Sequence, residues 1–195
     1  MYLKHISNWN QRWKNKQVIY WQDKVREQMS QGINGQVIAI IRNPILEREA
    51  MISGLNIVTN DGDLYYAQQA VGETPTDDFD AAAAGNRLGT SNTAPTKTDT
   101  DVTTVDAAGN HAHDATYPKT NDGDGDNTGA GTDIVTWRFS YLTSEGNITG
   151  IQEGAIVDNR TTPTAALTHY LFAASFNKTS SDTLKIFVNH QMNGV

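Results

Sequence analysis

Alternation of apolar and polar residues is clearest near the carboxyl end of the chain. In residues 134–141, Val135, Trp137, Phe139 and Tyr141 alternate with Thr136, Arg138 and Ser140. A period of two puts the apolar set on one face and the polar set on the other, as in a strand buried on one side. Residues 183–190 repeat the pattern, with Leu184, Ile186 and Val188 set against Lys185 and Asn189. Residues 148–157 place Ile148 and Ile156 on one face and Ile151 and Val157 on the other. Gly150 and Gly154 interrupt that run, and a glycine inside a strand marks a bulge or a close backbone approach. Residues 167–176 are apolar on both faces, which suits a central strand. Turn residues separate the four runs: Ser144-Glu-Gly-Asn147, Asp158-Asn-Arg-Thr-Thr-Pro163 and Asn177-Lys-Thr-Ser-Ser-Asp182. Short strands with regular turn punctuation predict a mainly β fold, an antiparallel β-sandwich or jelly-roll-like domain.

Upstream the period changes. Trp9 and Trp13 lie four apart, and Val18, Trp21, Val25 and Met29 continue at helical spacing. Ser7 or Asn8 is a fitting cap, and Gly32, Asn34 and Gly35 are fitting stops. This predicts an amphipathic helical arm over residues 1–32. Residues 37–41 read as a buried strand broken by Pro44, and residues 45–50 as a helical turn. Residues 51–59 read as another strand, Asn60-Asp-Gly-Asp63 as a turn, and residues 64–71 as a strand because of the paired tyrosines. From 72 to 132 the chain is dense in Thr, Asp, Ala, Gly and Asn. It has too few large apolar residues to fold alone, so neighbouring subunits are expected to order it. The domain plan is thus a helical arm at 1–32 and a β-domain at 33–195 with a polar insertion at 72–132.

A chain of 195 residues is long enough to bury one core. It has no cysteine, which excludes disulfides and thiolate metal sites. No apolar run approaches the ~20 residues of a membrane span. The first residues lack the apolar core of a signal peptide. A soluble product, made in the cytoplasm or built into a particle there, is expected, with no membrane partner. The net charge of −7 is uneven: residues 1–32 carry +4, leaving −11 on the rest. An acidic body discourages non-specific nucleic-acid binding, and no sequence-specific nucleic-acid partner is expected. Trp9, Trp13 and Trp21, flanked by Lys14 and Lys16, are candidate anchors for docking on a neighbouring subunit, since rigid aromatics are favoured at interfaces.

Candidate chemistry is sparse. Asp122, Asp124 and Asp126 alternate as in the first half of a calcium loop. Asn127 stands where the turning glycine belongs, and Asp133 replaces the closing glutamate, so a plain acidic turn is the stronger reading. His111 and His113 put two imidazoles on one side of an extended segment, but zinc needs two further ligands. Glu153 is expected in a structural ion pair with Arg138 or Arg160. Phosphate-loop, dinucleotide, nucleophile-elbow and metalloprotease motifs are missing. The reading is a chain without cofactor or catalytic residues, not an enzyme.

Leu88-Gly-Thr-Ser-Asn-Thr-Ala-Pro-Thr-Lys-Thr-Asp-Thr100 opens a longer pattern. It continues with Trp137-Arg-Phe-Ser-Tyr141, a gap holding Glu-Gly-Asn, then Gly150-Ile-Gln-Glu-Gly-Ala-Ile-Val157, and closes on Lys178-Thr-Ser-Ser-Asp-Thr-Leu184. Over roughly residues 55–195 the chain resembles small virion structural proteins of tailed bacteriophages. The resemblance implies a β-rich, non-enzymatic building block located in the virion, with no catalytic residues to carry over. The expectation is a capsid decoration or cement protein, homo-oligomeric, bound to the major capsid protein or other virion proteins. The alternatives are a neck, tail or baseplate component, or a carbohydrate-binding module using Tyr65, Tyr66 or Tyr170 as a sugar platform.

Overall fold

The computed structural model describes residues 34–121 and 132–192. Nine strands are present among them: β1 (Asn34–Asn43), β2 (Arg48–Val58), β3 (Gly85–Gly89), β4 (Val105–His111), β5 (Lys119–Asn121), β6 (Ile134–Tyr141), β7 (Ile151–Val157), β8 (Ala166–Phe176) and β9 (Thr183–Gln191). One helix, α1 (Asn60–Val71), lies between β2 and β3. The expected arm over residues 1–32 lies outside the described residues.

All nine strands join one antiparallel sheet in the order β4, β3, β7, β8, β2, β1, β9, β6, β5. The expected antiparallel β class holds, but the expected sandwich or jelly roll is corrected: the strands join in a single curled sheet shaped like a half-barrel rather than in two packed sheets. Side chains reach across the hollow. Tyr141 of β6 donates to the Gly109 carbonyl of β4 at 2.8 Å, although these strands sit near opposite ends of the sheet. Tyr141 also accepts from Asn86 Nδ2 of β3 at 2.9 Å, and Asn86 Oδ1 accepts from Tyr170 of β8 at 2.7 Å. The side chains of Tyr141, Asn86 and Tyr170 thereby satisfy one another in the interior.

The core lines the concave face in registered rungs. Val37, Val188 and Trp137 face one another across β1, β9 and β6, followed by Ala39, Ile186 and Phe139, then Ile41, Leu184 and Tyr141. Apart from Ile41, which is partly buried, every member of these rungs is buried. Each large apolar side chain so placed contributes about 1.5–3 kcal/mol. The alternation read from β6 and β9 therefore marks the inward face correctly. β8 lies inside the sheet between β7 and β2, as its two apolar faces suggest. Ile151 joins Ile148 and Ile156 in the main core rather than facing away, because the register shifts between Ile151 and Glu153. Gly154 marks the close approach expected of it: a Cβ there would lie 2.3 Å from the Tyr170 ring.

Two local readings are corrected. Residues 64–71 form the body of α1, not a strand. Thr59 caps the helix by accepting from the Gly62 N–H, Asp61 and Asp63 occupy the first turn, and Gly72 ends it in the left-handed conformation. These end signals outweigh the strand preference of two tyrosines. Tyr65 packs inward at 5.4 Å from the Phe79 ring and 6.4 Å from Trp137. Residues 44–47 form a hairpin turn joining β1 to β2, and pairing resumes at Arg48 opposite Asn43. No helical turn forms there, because the pairing of β1 with β2 takes the backbone groups from Arg48 onward.

Candidate functional site

Strand alternation builds the most highly charged buried site. On β7, Ile156 faces the core, so Glu153 and Ala155 face the convex side. On β8, Tyr170 faces the core and His169 faces the convex side, directly across from Ala155. Residues 90–104 lie over this patch. Val102 packs with Ala155, Val157 and Ala166 in a small second cluster. Beside that cluster, Glu153 is 0% exposed and His169 is 1% exposed.

Glu153 is saturated. Its Oε1 accepts from the backbone N–H of Ser91 at 3.1 Å and of Thr104 at 2.7 Å. Its Oε2 accepts from the Thr103 N–H at 2.9 Å and from His169 Nε2 at 3.0 Å. His169 Nδ1 in turn meets Asp99 Oδ2 at 2.6 Å. A carboxylate at each ring nitrogen requires a donor at both, so the imidazole is the charged form. Burial alone would push His169 down, but its hydrogen bonds to Glu153 and Asp99, and their charges, carry it above its ordinary range. Burial would push Glu153 up; the bonds from His169 and the three backbone N–H groups hold it below the usual carboxylate range. Against its own burial, Asp99 is likewise held low, by Thr96 and His169. Arg87 Nε lies 3.0 Å from Asp101 Oδ1 at the margin of the patch.

This constellation is a clasp. Both imidazole nitrogens and all of Glu153's bonding capacity are engaged, so its chemistry is to pin residues 90–104 to the sheet by charge-assisted bonds. The expected partners of Glu153 are corrected accordingly. Arg138 pairs with Asp114, and Arg160 donates to the carbonyls of Ala84 at 2.6 Å and Ala82 at 3.1 Å. Sequence reasoning missed Asp99 and His169 as partners. The available signal was a lone histidine in a run apolar on both faces, which must find a polar partner when buried.

Residues 177–182 also fasten loops. Lys178 is 2% exposed and donates to the Leu142 carbonyl at 2.8 Å and to Asn147 Oδ1 at 3.1 Å. Asn177 Oδ1 accepts from the Gly150 N–H at 2.8 Å. Asp182 closes the turn before β9 by accepting from Thr179 and from Asn43. The expectation that neighbouring subunits order the polar insertion is corrected for residues 72–121. Phe79 lies in the main core, Val102 in the second cluster, and the clasp and Arg160 hold the segments between.

His111 and His113 part company. His111 Nε2 lies 3.3 Å from Glu145 Oε2, whereas His113 Nε2 bonds the Asp80 carbonyl and its ring stacks on Trp137. Among the described residues no group of three or more histidines and carboxylates is placed to hold a metal. The sugar platform is corrected: Tyr65 and Tyr170 are buried, and the Tyr66 hydroxyl is bonded to Trp137 and His190. Trp9, Lys14, Trp13, Lys16 and Trp21, and the acidic turn of Asp122, Asp124 and Asp126, lie outside the described residues. Large apolar side chains stand out at the hairpin between β1 and β2, where Ile45 is 78%, Leu46 58% and Met51 47% exposed. Among the described residues no helix is long and apolar enough to cross a membrane.

No protein-family model, curated protein or solved structure matches this chain.

Proposed function

We propose that this chain is a non-enzymatic structural component of a tailed-phage particle, a decoration or cement subunit that binds the major capsid protein lattice as a homo-oligomer. The observation that carries this reading is the apolar tip at Ile45 and Leu46. It stands on β1 and β2, two strands in the middle of the sheet, so a firmly held hairpin presents side chains that the fold itself does not bury. Apolar residues on a rigid projection suit docking on another protein. The resemblance of roughly residues 55–195 to small virion structural proteins supports the same reading.

The test pairs Ile45→Asp with Leu46→Asp in the gene of the phage that encodes the chain. Purified virions are analysed by quantitative mass spectrometry, and the purified variant by thermal unfolding. The wild-type chain is expected at on the order of hundreds of copies, as a lattice requires, while the variant keeps its Tm and is lost from particles. A count of about six or twelve would move the protein to the neck, tail or baseplate. Its absence from wild-type virions would sink the virion reading altogether.

A further inference from the structure

A second polar group lies on the concave face at the end of the sheet where β1 begins. His190 of β9 is fully buried, and its Nδ1 lies 2.6 Å from the Tyr66 hydroxyl. That hydroxyl lies 3.1 Å from the Trp137 indole Nε1. An indole N–H only donates, so the Tyr66 oxygen accepts from Trp137 and gives its own proton to His190 Nδ1. Nδ1 is therefore the acceptor. Burial drives the imidazole down to about 3, so the ring is neutral near pH 7. Its one proton must sit on Nε2. That N–H is buried and has no hydrogen-bond partner among the described residues.

Asn56 of β2 stands two strands away. Both ends of its carboxamide, Oδ1 and Nδ2, are also buried without a partner among the described residues. Gly35 of β1 sits between them, registered with Asn56 on one side and His190 on the other. A Cβ on Gly35 would lie 1.0 Å from Asn56 Oδ1, so the carboxamide occupies the space that a side chain at 35 would fill. Cross-strand Cβ positions lie about 4.5–5.5 Å apart. The carboxamide thus leans over β1 toward the imidazole on β9.

We propose that Asn56, Gly35 and His190 form a binding site for buried water, which accepts the His190 Nε2 proton and bonds both ends of the Asn56 carboxamide. The three unpartnered atoms, on side chains of β2 and β9 that flank Gly35 of β1, supply the two to four polar partners that an internal water needs. Gly35 is required because any side chain would displace the carboxamide. The chain Trp137, Tyr66, His190 aims the Nε2 proton by fixing the tautomer.

The experiment is NMR on the full chain labelled with nitrogen-15. Long-range proton–nitrogen spectra should show His190 neutral with its proton on Nε2 from about pH 5 to 7, given its burial. That proton should give a cross-peak to water of the sign expected for a residence time longer than tumbling. Water-oxygen relaxation dispersion should then lose a long-lived contribution in Asn56→Leu, which removes the carboxamide at similar volume. A proton on Nδ1, a charged ring, or a cross-peak to another side chain in place of water would overturn the proposal. So would an unchanged dispersion in a folded Asn56→Leu. If that variant fails to fold, the wild-type cross-peaks decide alone.

Discussion

Replacing Glu153 by glutamine tests the clasp most sharply. The carboxylate accepts from four donors: three backbone N–H groups and the His169 imidazolium. Glutamine keeps one acceptor oxygen and turns an NH₂ toward donors that the second oxygen now serves. Whichever way the amide is set, two donors lose their acceptor, and the His169 charge keeps only Asp99. Each buried donor left unpaired costs about 1–3 kcal/mol, and removing one member of a buried charge pair costs about 3–5 kcal/mol. A loss of about 3–5 kcal/mol is expected in urea unfolding at neutral pH, a large share of the roughly 5–15 kcal/mol of a whole domain. The amides of Ser91, Thr103 and Thr104 should lose their protection from hydrogen exchange at the same time. The wild-type pH profile follows from the directions of shift. Asp99 and Glu153 are held low, so their stabilisation is present above their unfolded values of about 4 and is lost as pH falls through the folded values. His169 is held high, so its stabilisation is present below about 6.5 and is lost as pH rises through the folded value. Both are in force between about pH 4.5 and 6.5, and Glu153→Gln should flatten this optimum. A loss below about 1 kcal/mol with unchanged protection of the three amides would refute the reasoning.

Three further outcomes are expected. Trp137→Ala should cost about 3–5 kcal/mol in urea unfolding, because Trp137 is fully buried in the concave core; a loss under about 1 kcal/mol would mean that the assigned face is wrong. Lys178→Met should keep the buried stem but release the Leu142 carbonyl and Asn147, costing about 1–3 kcal/mol and loosening residues 142–150 in hydrogen exchange; unchanged exchange there would show that the lysine does not hold the loop. In dilute solution of the isolated chain, the Thr104 amide should stay protected, because its acceptor belongs to the same chain; fast exchange would return the ordering of this segment to neighbouring subunits.

What could be read from the chain without its structure was what depends on near neighbours. A strand's two faces are set by alternate residues, so Trp137, Phe139, Leu184 and Ile186 declared their inward side and the antiparallel β class followed. The ends of α1 were equally local, in Thr59, Asp61, Asp63 and Gly72, but the strand preference of Tyr65 and Tyr66 concealed them. Pairing between distant strands is another matter. Nothing local tells β8 to lie beside β2, or β9 to lie between β1 and β6, because each bond in those ladders joins residues far apart in sequence. The partners of Glu153 show the consequence. Arg138 and Arg160 were plausible by charge and proximity in sequence, yet curling the sheet gave them to Asp114 and to backbone carbonyls. His169 reached Glu153 only because β8 pairs with β7 and their alternation turns both side chains to the convex face. The Thr- and Asp-rich segment looked unable to order itself because its own apolar content is low. Residues 90–104 of it are held by backbone N–H groups bonded to a buried carboxylate on β7, an interaction that exists only once the tertiary fold has brought the two together.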